Sequence, residues 1–455
     1  MKSLPRVVLR KRLGRAIRGG HPWVYRDALA ASPRIAEGSV VLVAGAEGRP
    51  LARGFWDATS PIAVRILSVD GELGELEVER EIDRRIAEAL ARRLGAIDRR
   101  ETDAFRWIHG EADALPGVHV DVYGAALSIR YDGGGARAFY RELPAQLRAA
   151  AQKAGLRVDA ILERRPRGRS GDTDGERTLP LYGSSPEGEV EIRENGLRFG
   201  ADLRRGQKGG LFLDQRENRA LVRTLARDRR VLNLFGYTGG FSIYAAAGGA
   251  RATTTVDVAA PAIAAARRNF ERNGLPIADA RLSAEDAFAF LTRAATAGER
   301  FELVISDPPS FAPNKRALET GLAAYRRLHR LCAAVTAPGG ILCAASCSSH
   351  IRKEAFLATV RDGAREAGRR AQIREIRGAA FDHPVVPQFP EGDYLKFAVI
   401  NLCCRQRRCP SRANNLPPLP LIPPGHWPRR PIAGRWGSAW RCFNRPSTSG
   451  SATPT

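Results

Sequence analysis

A cysteine between two serines, Ser346-Cys347-Ser348, follows the apolar run 341–345. The run predicts a buried strand, so Cys347 should lie just past a strand end, where parallel sheets bind their ligands. The thiolate is the nucleophilic form of cysteine. When it adds to position 6 of a pyrimidine, position 5 becomes able to accept a methyl group. Cys347 is therefore the candidate catalytic nucleophile.

A proline-containing loop, Asp307-Pro308-Pro309-Ser310-Phe311, follows another predicted strand. Proline removes backbone donors and fixes the chain, so Asp307 and the loop carbonyls become the polar contacts offered to a flat base. Asp307 and Pro308 are therefore candidates for holding a nucleobase. Enzymes that methylate exocyclic amines carry Asn-Pro-Pro and then an aromatic residue. Asp307 and Ser310 depart from that pattern, which argues against an exocyclic amine as the methylated group.

A glycine loop joins two predicted strands within 231–257. The order is an apolar run, Gly236-Tyr237-Thr238-Gly239-Gly240, an Ala-rich helix and a β-branched run ending in Asp257. Glycines let a ligand approach the backbone, and an acid at the next strand end can accept hydrogen bonds from both ribose hydroxyls. The pattern predicts a site for an adenosine-like nucleoside. It lacks the Gly-x-Gly-x-x-Gly spacing of dinucleotide sites, and an ordinary strand-helix-strand unit is the alternative.

The elements around these motifs alternate between strand and helix, which predicts a parallel sheet with helices on both faces. A hairpin turns at Asn195-Gly196, a helix covers 261–273, and a third strand ends near 283–286. Ligands of such sheets bind beyond the carboxyl ends of the strands. The side chains expected along that edge are Asn233, Asp257, Asp286, Asp307 and Cys347.

The first half of the chain predicts two smaller parts. Short β-like runs at 7–9, 39–43, 51–55 and 62–67 predict a small β-barrel, with a basic cluster at 10–18 and with Trp23 and Trp56 as either RNA-facing or core aromatics. A helix over 77–97 then leads to an α+β part containing a helix over 136–154 and a strand over 158–164. Residues 164–180 are polar and turn-rich, which predicts an exposed loop.

The predicted fold class is therefore multidomain α/β. It comprises a small β-barrel (1–72), which with HPWVY and LARGFWD resembles a PUA domain, a linker helix with a central α+β domain (73–188), and a Rossmann-like sheet (189–402) that resembles the class I methyltransferase sheet. The tail, 403–455, contains nine Arg and ten Pro but no Asp, Glu or Lys. It has no hydrophobic periodicity, which predicts disorder. It is either an RNA-binding tail or an extension read in a shifted frame.

The 455 residues include 72 Lys and Arg against 49 Asp and Glu, a formal net charge of +23. This excess favours a polyanionic partner, and a genome biased towards Arg is the alternative. Seven cysteines without regular spacing do not predict disulfides, and Cys332 and Cys343 are expected to be buried. Neither a secretory leader nor an apolar run of about 20 residues is visible, so a soluble cytoplasmic protein with no membrane partner is expected.

The motifs HPWVY, EADALPGVHVDVYG, QKGGLFLDQR, VLNLFGYTGGFS, VISDPPSF, SCS and DHPVVPQFPEGDYLK occur in this order within residues 5–402. In this, the chain resembles the RlmI-type family of class I methyltransferases, which form 5-methylcytosine in large-subunit ribosomal RNA using S-adenosylmethionine. The resemblance implies the same fold and the same reaction in this chain. It also implies that ribosomal RNA is the partner and that no metal is needed. A homodimer is left open.

The resemblance also implies roles for single residues. Cys347 would be the nucleophile, and Asp307 and Pro308 would hold the cytosine. The region 207–216, the glycine loop and two acids would surround the methyl donor, with these contacts: Gln215, Asn233, Phe235, Gly236, Tyr237, Thr238, Gly239, Asp257, Asp286 and Asp307. Many RNA 5-methylcytosine enzymes have a second cysteine in the Asp-Pro-Pro loop. Here Ser310 takes that place, as in this family, so the base that removes the proton from C5 is unassigned.

Three other functions stay open on the sequence. They are methylation of another position such as a guanine nitrogen, an RNA-binding assembly factor without catalysis, and a nicotinamide dehydrogenase, which the glycine spacing disfavours. Asp382 and His383 either line the site, with Glu391 and Lys396 nearby, or form the turn of a hairpin that closes the sheet.

Overall fold

The computed structural model describes residues 4–69, 77–165, 177–204, 206 and 210–404. All of these belong to one compact unit, Met1–Arg407. Within these ranges, no helix has the length and apolar character needed to cross a membrane. The predicted disordered tail beyond residue 404 and most of the predicted loop at 164–180 lie outside the described residues.

The N-terminal part is a five-stranded sheet in the order β1-β3-β4-β5-β2. Its elements are β1 Arg6–Val8, α1 Gly14–Arg18, β2 Trp23–Tyr25, β3 Val40–Ala44, β4 Pro50–Trp56 and β5 Ile62–Val69. Trp56 is fully buried in its core, whereas Trp23 is only half-buried. Of the two tryptophans, Trp56 is thus a core aromatic. The strand β2 was not among the predicted β-like runs.

The central part is a second five-stranded sheet in the order β10-β9-β8-β7-β6. Its elements are α2 Val78–Leu94, β6 Ala104–His109, β7 Val118–Tyr123, β8 Ala126–Tyr131, α3 Gly134–Phe139, α4 Leu143–Lys153, β9 Ala160–Arg165 and β10 Arg177–Tyr182. As predicted, α2 buries one apolar face, and it shares a core with Phe55 and Leu67 of the N-terminal sheet. The helix therefore joins the two parts by packing.

Two predictions for the central part were wrong. The single helix expected over 136–154 is divided between α3 and α4. Pro144 lies in the first turn of α4, where its missing N–H costs nothing, whereas inside one long helix it would break a hydrogen bond. The segment expected to be a loop also contains β10, which pairs antiparallel with β9.

The C-terminal part begins with a hairpin, β11 Val190–Glu194 and β12 Leu197–Ala201. Its turn is confirmed at Asn195-Gly196, which both adopt positive φ, as tight hairpin turns require. The remaining elements are α5 Arg216–Leu225, β13 Arg230–Leu234, α6 Gly240–Ala247, β14 Ala252–Asp257, α7 Ala260–Arg272, β15 Ala280–Ala284, α8 Ala287–Thr296, β16 Phe301–Ser306, α9 Leu318–Val335, β17 Thr336–Ser346, α10 Lys353–Glu366, β18 Arg369–Arg377 and β19 Lys396–Cys404.

These strands form a seven-stranded sheet in the order β15-β14-β13-β16-β17-β19-β18. The first five run parallel, as predicted. β19 is antiparallel to both of its neighbours, β17 and β18, so β18 and β19 form an antiparallel pair at the edge of the sheet. Helices α6 and α7 belong to one core and α8 to α10 to another, so both faces are covered. The strand predicted to end at 283–286 ends at Ala284, because Asp286 already caps α8.

Candidate active site

A cavity of 670 Å³, the first cavity, opens at the carboxyl ends of the parallel strands. Its volume falls in the range of small-molecule sites. It brings together ten of the residues predicted to act in binding or catalysis: Gln215, Phe235, Gly236, Tyr237, Thr238, Asp257, Asp286, Asp307, Pro308 and Cys347. The two chemical motifs and the glycine loop therefore face one space.

The glycine loop is held in an unusual backbone conformation. Phe235 and Tyr237 have φ of 55° and 47°, and Gly239 has φ of 81°. Positive φ is costly for residues with a side chain, and such strain is concentrated at ligand sites. A Cβ at Gly236 would lie 2.5 Å from Cγ2 of Thr255. Only glycine therefore lets the loop rest this closely on the strand beside it.

Asn233 and Gly239, which are also predicted to contact the donor, are not among the residues that line the cavity. Asn233 is buried within β13, and its amide donates to the Ser242 hydroxyl at 2.9 Å. Ser242 in turn lies 2.7 Å from the Thr255 hydroxyl. Since side chains alternate between the two faces of a sheet, Asn233 points to the face covered by α6, where it supports the start of that helix after the glycine loop.

Asp257, the last residue of β14, is fixed by two backbone groups. One carboxylate oxygen accepts the N–H of Tyr237 at 2.9 Å, and the other accepts that of Ala259 at 2.9 Å. Each oxygen has a second lone pair for a ligand hydroxyl. Val258 is 76% exposed and also lines the cavity. An acid beside an exposed apolar side chain suits a ribose joined to a flat base.

Asp286 lies at the adjacent strand end and has a structural role as well. Its carboxylate accepts the N–H of Ala289 at 2.9 Å and so caps α8. The cap holds the side chain at the cavity wall.

The Asp-Pro-Pro loop is positioned by α5 and by the preceding turn. The Gln215 amide donates to the Asp307 carboxylate at 2.9 Å. The Asn218 amide donates to the Gln215 carbonyl oxygen at 2.7 Å, which fixes the orientation of Gln215. Because Gln215 and Asn218 are buried, this chain of bonds orients the Asp307 carboxylate before any ligand arrives.

Cys347 follows the last residue of β17 and is half-buried at the cavity wall. The next residue, Ser348, lies 2.6 Å from the Ser310 hydroxyl. This bond joins the cysteine segment to the Asp-Pro-Pro loop. Cys332 and Cys343 are buried in the core as predicted, and burial raises the pKa of both thiols to about 12. Their thiols are therefore inert at neutral pH.

A second cavity, of 350 Å³, lies where the N-terminal sheet, the central sheet and the segment before β19 meet. It shares Leu211 and Asp214 with the first cavity, so the two adjoin. The Trp23 indole donates to the Glu111 carboxylate at 2.7 Å, and its ring centroid lies 4.5 Å from that of Phe389. One tryptophan thus connects all three parts beside this cavity.

The sequence left open whether Asp382 and His383 line the site or form the turn of a hairpin. The structure places these two neighbouring residues in different surroundings. Asp382 is fully buried and pairs with Arg216 at 2.9 Å, and it also accepts the backbone N–H of Arg106 at 2.8 Å. Burial acts to raise the pKa of Asp382, but Arg216 and His383 lower it well below its usual value. Asp382 therefore fastens its segment to the central part. His383 lines the second cavity together with Glu391.

Sequence reasoning did not select several residues of the first cavity, among them Val258 and Leu395. Phe212, which also lines this cavity, belongs to the region 207–216 that was predicted to surround the donor. Val258 could have been found as an apolar residue directly after the strand-end acid. Leu395 carries no such signal, because long-range packing brings it there. Among the residues that the structure describes, no cluster of His, Cys, Asp and Glu is arranged to hold a metal ion.

Comparisons with known proteins agree with this geometry. The sequence pattern of a family described as S-adenosylmethionine-dependent methyltransferase matches residues 141–390, and that of a PUA-like domain matches residues 7–69. A "Ribosomal RNA large subunit methyltransferase I" from Tolumonas auensis is 36% identical over 87% of this chain and 98% of its own. A "Ribosomal RNA large subunit methyltransferase" from Deinococcus radiodurans is 37% identical over 88% and 98%.

A solved structure of SMU.776 complexed with SAH has a similar fold. It superimposes with a TM-score of 0.74 at 23% identity and covers 88% of this chain and 100% of its own. The predicted fold class, a PUA-like domain followed by a class I methyltransferase sheet, is confirmed.

Proposed function

Because the chain belongs to the S-adenosylmethionine-dependent methyltransferase family, we propose that it methylates C5 of a cytosine in large-subunit ribosomal RNA, with Cys347 bonded transiently to C6. The observation that carries this proposal is that Cys347 and Asp307 line the same cavity as Asp257. The donor-side acid, the base-holding loop and the nucleophile thus share one space. The names of the relatives supply the RNA class.

The residues at one end of the first cavity fit S-adenosylmethionine. Asp257 offers two oxygens to the ribose hydroxyls, Val258 offers an apolar surface to the adenine, and Gly236 leaves room for the donor at the loop. When bound, the donor supplies an electrophilic methyl group on its sulfonium. The strained loop is thereby assigned to donor binding rather than to catalysis.

The Asp-Pro-Pro loop would hold the cytosine. The Asp307 carboxylate, oriented by Gln215, accepts a hydrogen bond from the exocyclic amine of the base. Pro308 provides a rigid apolar surface at the base edge. This contact selects cytosine over uracil, because uracil presents a carbonyl oxygen where cytosine has the amine.

Cys347 would then act as the nucleophile. Its thiolate would add to C6, and the electrons of the C5–C6 double bond would move to C5, which would bond to the methyl group as the bond between that group and the sulfonium sulfur breaks. A base removes the proton from C5, the double bond re-forms, and the thiolate leaves C6 as it arrived. The hydrogen bond between Ser310 and Ser348 keeps Cys347 and the Asp-Pro-Pro loop in fixed relative positions during both steps.

The RNA would reach this site along a basic surface. The cluster Arg10, Lys11, Arg12, Arg15 and Arg18 is exposed on the N-terminal part, and Gly20 at its end lies against the side chain of Gln388. The neighbouring Phe389 lines the second cavity, which adjoins the first. Phosphates bound at the cluster would direct the strand towards both cavities. The target base must be unpaired or flipped out to enter the first cavity.

The test is to incubate the full chain with tritiated S-adenosylmethionine and either unmodified large-subunit ribosomal RNA or the assembled particle, and to identify the labelled nucleoside. The expected product is 5-methylcytidine. It should be lost in Cys347→Ala and kept in Cys403→Ala, which changes an exposed cysteine outside the cavity. Label in a guanosine derivative that survives Cys347→Ala would refute the base and the mechanism. Bound donor without label on either substrate would favour an assembly factor.

A further inference from the structure

The buried side chain of Lys396 lies against the segment that carries Cys347. Lys396 is the first residue of β19 and is only 5% exposed. Its backbone pairs with Ser346, the residue before Cys347. Its ammonium donates to the carbonyl oxygen of Ser348, the residue after Cys347, at 2.6 Å, and to that of Tyr394 at 2.8 Å. Lys396 therefore contacts the chain on both sides of the proposed nucleophile.

The charge of Lys396 is not balanced by a carboxylate at close range. Among the residues the structure describes, its ammonium hydrogen-bonds to two backbone carbonyls and to no carboxylate. Burial lowers the pKa of Lys396, while Asp393 and Cys347 act to raise it by favouring the charged form. Two neutral carbonyls hydrogen-bond to the ammonium but carry no net charge. A buried ammonium of this kind favours an anion beside it.

We propose that Lys396 is a positioning residue that holds Cys347 as a thiolate, supplying the positive charge beside the sulfur and fixing the 346–348 segment at the cavity wall. The thiol releases its proton to solvent, and the resulting sulfur anion becomes the counter-ion of the ammonium. The purpose of this pairing rests on the proposed function, since the thiolate is the form that adds to C6.

Other ionisable groups face the same place and act in different directions. Asp307, on the loop after β16, lines the same cavity as Cys347, and Asp393, before β19, acts on Lys396; a carboxylate at either position opposes a thiolate. Tyr325 of α9 also lies near Cys347 and Asp307, and burial raises its pKa, so it stays neutral. The positive charge of Lys396 therefore acts against two carboxylates, and removing it should have a large effect on the thiol.

The experiment measures alkylation of Cys347 by iodoacetamide in the full chain, from pH 5.5 to 9.5, with peptide mass spectrometry to separate it from the other cysteines. In the wild type, the pH midpoint should lie below about 8.5, the value of an ordinary cysteine. Lys396→Met and Lys396→Gln should raise the midpoint by at least about one pH unit, which lowers alkylation at pH 7 about tenfold. Lys396→Arg should restore most of the rate.

The variants separate charge from structure. Glutamine keeps an N–H donor without the charge, so a normal profile in Lys396→Gln would overturn the proposal. Binding of S-adenosylhomocysteine, measured alongside, should be unchanged in the variants because Lys396 is not in the donor end of the cavity. If the Met and Gln variants also lose this binding, the test rests on Lys396→Arg. An alkylation profile like that of the wild type in Lys396→Arg would support the role of the positive charge. A raised pH midpoint in this variant would overturn the proposal. A shifted profile together with label in another nucleoside would keep this inference and refute the proposed reaction.

Discussion

Replacing Asp257 with asparagine should weaken donor binding by roughly one to two orders of magnitude. The two carboxylate oxygens of Asp257 accept the N–H groups of Tyr237 and Ala259, both at 2.9 Å. Asparagine turns one of these oxygens into an amino group, which cannot accept from the backbone or from a ribose hydroxyl. One charge-assisted hydrogen bond is worth about 1.5–3 kcal/mol. At about 1.4 kcal/mol for each factor of ten, the dissociation constant rises about 10- to 150-fold.

Calorimetric titration of the full chain with S-adenosylhomocysteine measures this change. Glu285→Gln is the matched control, since it makes the same carboxylate-to-amide change at a residue that accepts from Arg293 at 2.8 Å and does not line the cavity. The control should bind within about twofold of the wild type. A change below about threefold in Asp257→Asn would refute the assignment of the ribose to Asp257.

Three further predictions concern stability and the loop. Asp382→Ala should lower the free energy of unfolding in urea by about 3–5 kcal/mol, because it leaves the buried guanidinium of Arg216 without its partner at 2.9 Å. Burial lowers the pKa of His329 from 6.5 to about 4. Between these pH values the unfolded chain binds a proton that the folded protein does not, so stability falls as the pH drops. Between pH 7 and pH 5, the free energy of unfolding should therefore fall by about 2 kcal/mol less in His329→Gln than in the wild type. Gly236→Ala should weaken binding of S-adenosylhomocysteine more than about tenfold, because its Cβ would lie 2.5 Å from Thr255, and Thr255→Ser should restore part of the affinity.

Each of these predictions has a result that contradicts it. Asp27→Ala removes the exposed partner of Lys11 and should leave the unfolding midpoint unchanged, so an equally small effect of Asp382→Ala would argue against the buried pair. Identical pH dependence in wild type and His329→Gln would remove that residue from the account. Full donor affinity in Gly236→Ala would mean that the loop can move away from β14.

Local signals explain why much of the fold was predictable. Asn195-Gly196 tolerates positive φ, so its hairpin could be located from two residues. Cys347 and Asp307 follow apolar runs, and parallel strands end at one edge of a sheet, so their shared cavity could be expected. The positions of the glycine loop and of Asp257 at this cavity could be expected for the same reason, since both also follow predicted strands.

What could not be predicted depends on contacts between distant residues. Gln215 reaches Asp307 across 92 positions, and Arg216 reaches Asp382 across 166. Lys396 was expected near the site in one of the two alternatives for Asp382 and His383, but its pairing with Ser346 follows from the antiparallel register of β17 and β19, which no local pattern specifies. Asn233 was assigned to the donor because the resemblance implies it. Strand alternation instead directs it to Ser242.

The proposed transient bond between the sulfur of Cys347 and C6 of the cytosine can be trapped with RNA that contains 5-fluorocytidine. Fluorine at C5 cannot leave as a proton does, so the methylated adduct cannot collapse and the protein stays bonded to the base. With S-adenosylmethionine present, the full chain should form a complex that survives denaturing electrophoresis. After nuclease digestion, its mass should place a methylated fluorocytidine on the peptide containing Cys347, and Cys347→Ala should form none. A wild-type protein that methylates the unsubstituted RNA but never cross-links to the fluorinated RNA, or a cross-link that persists in Cys347→Ala, would contradict the account.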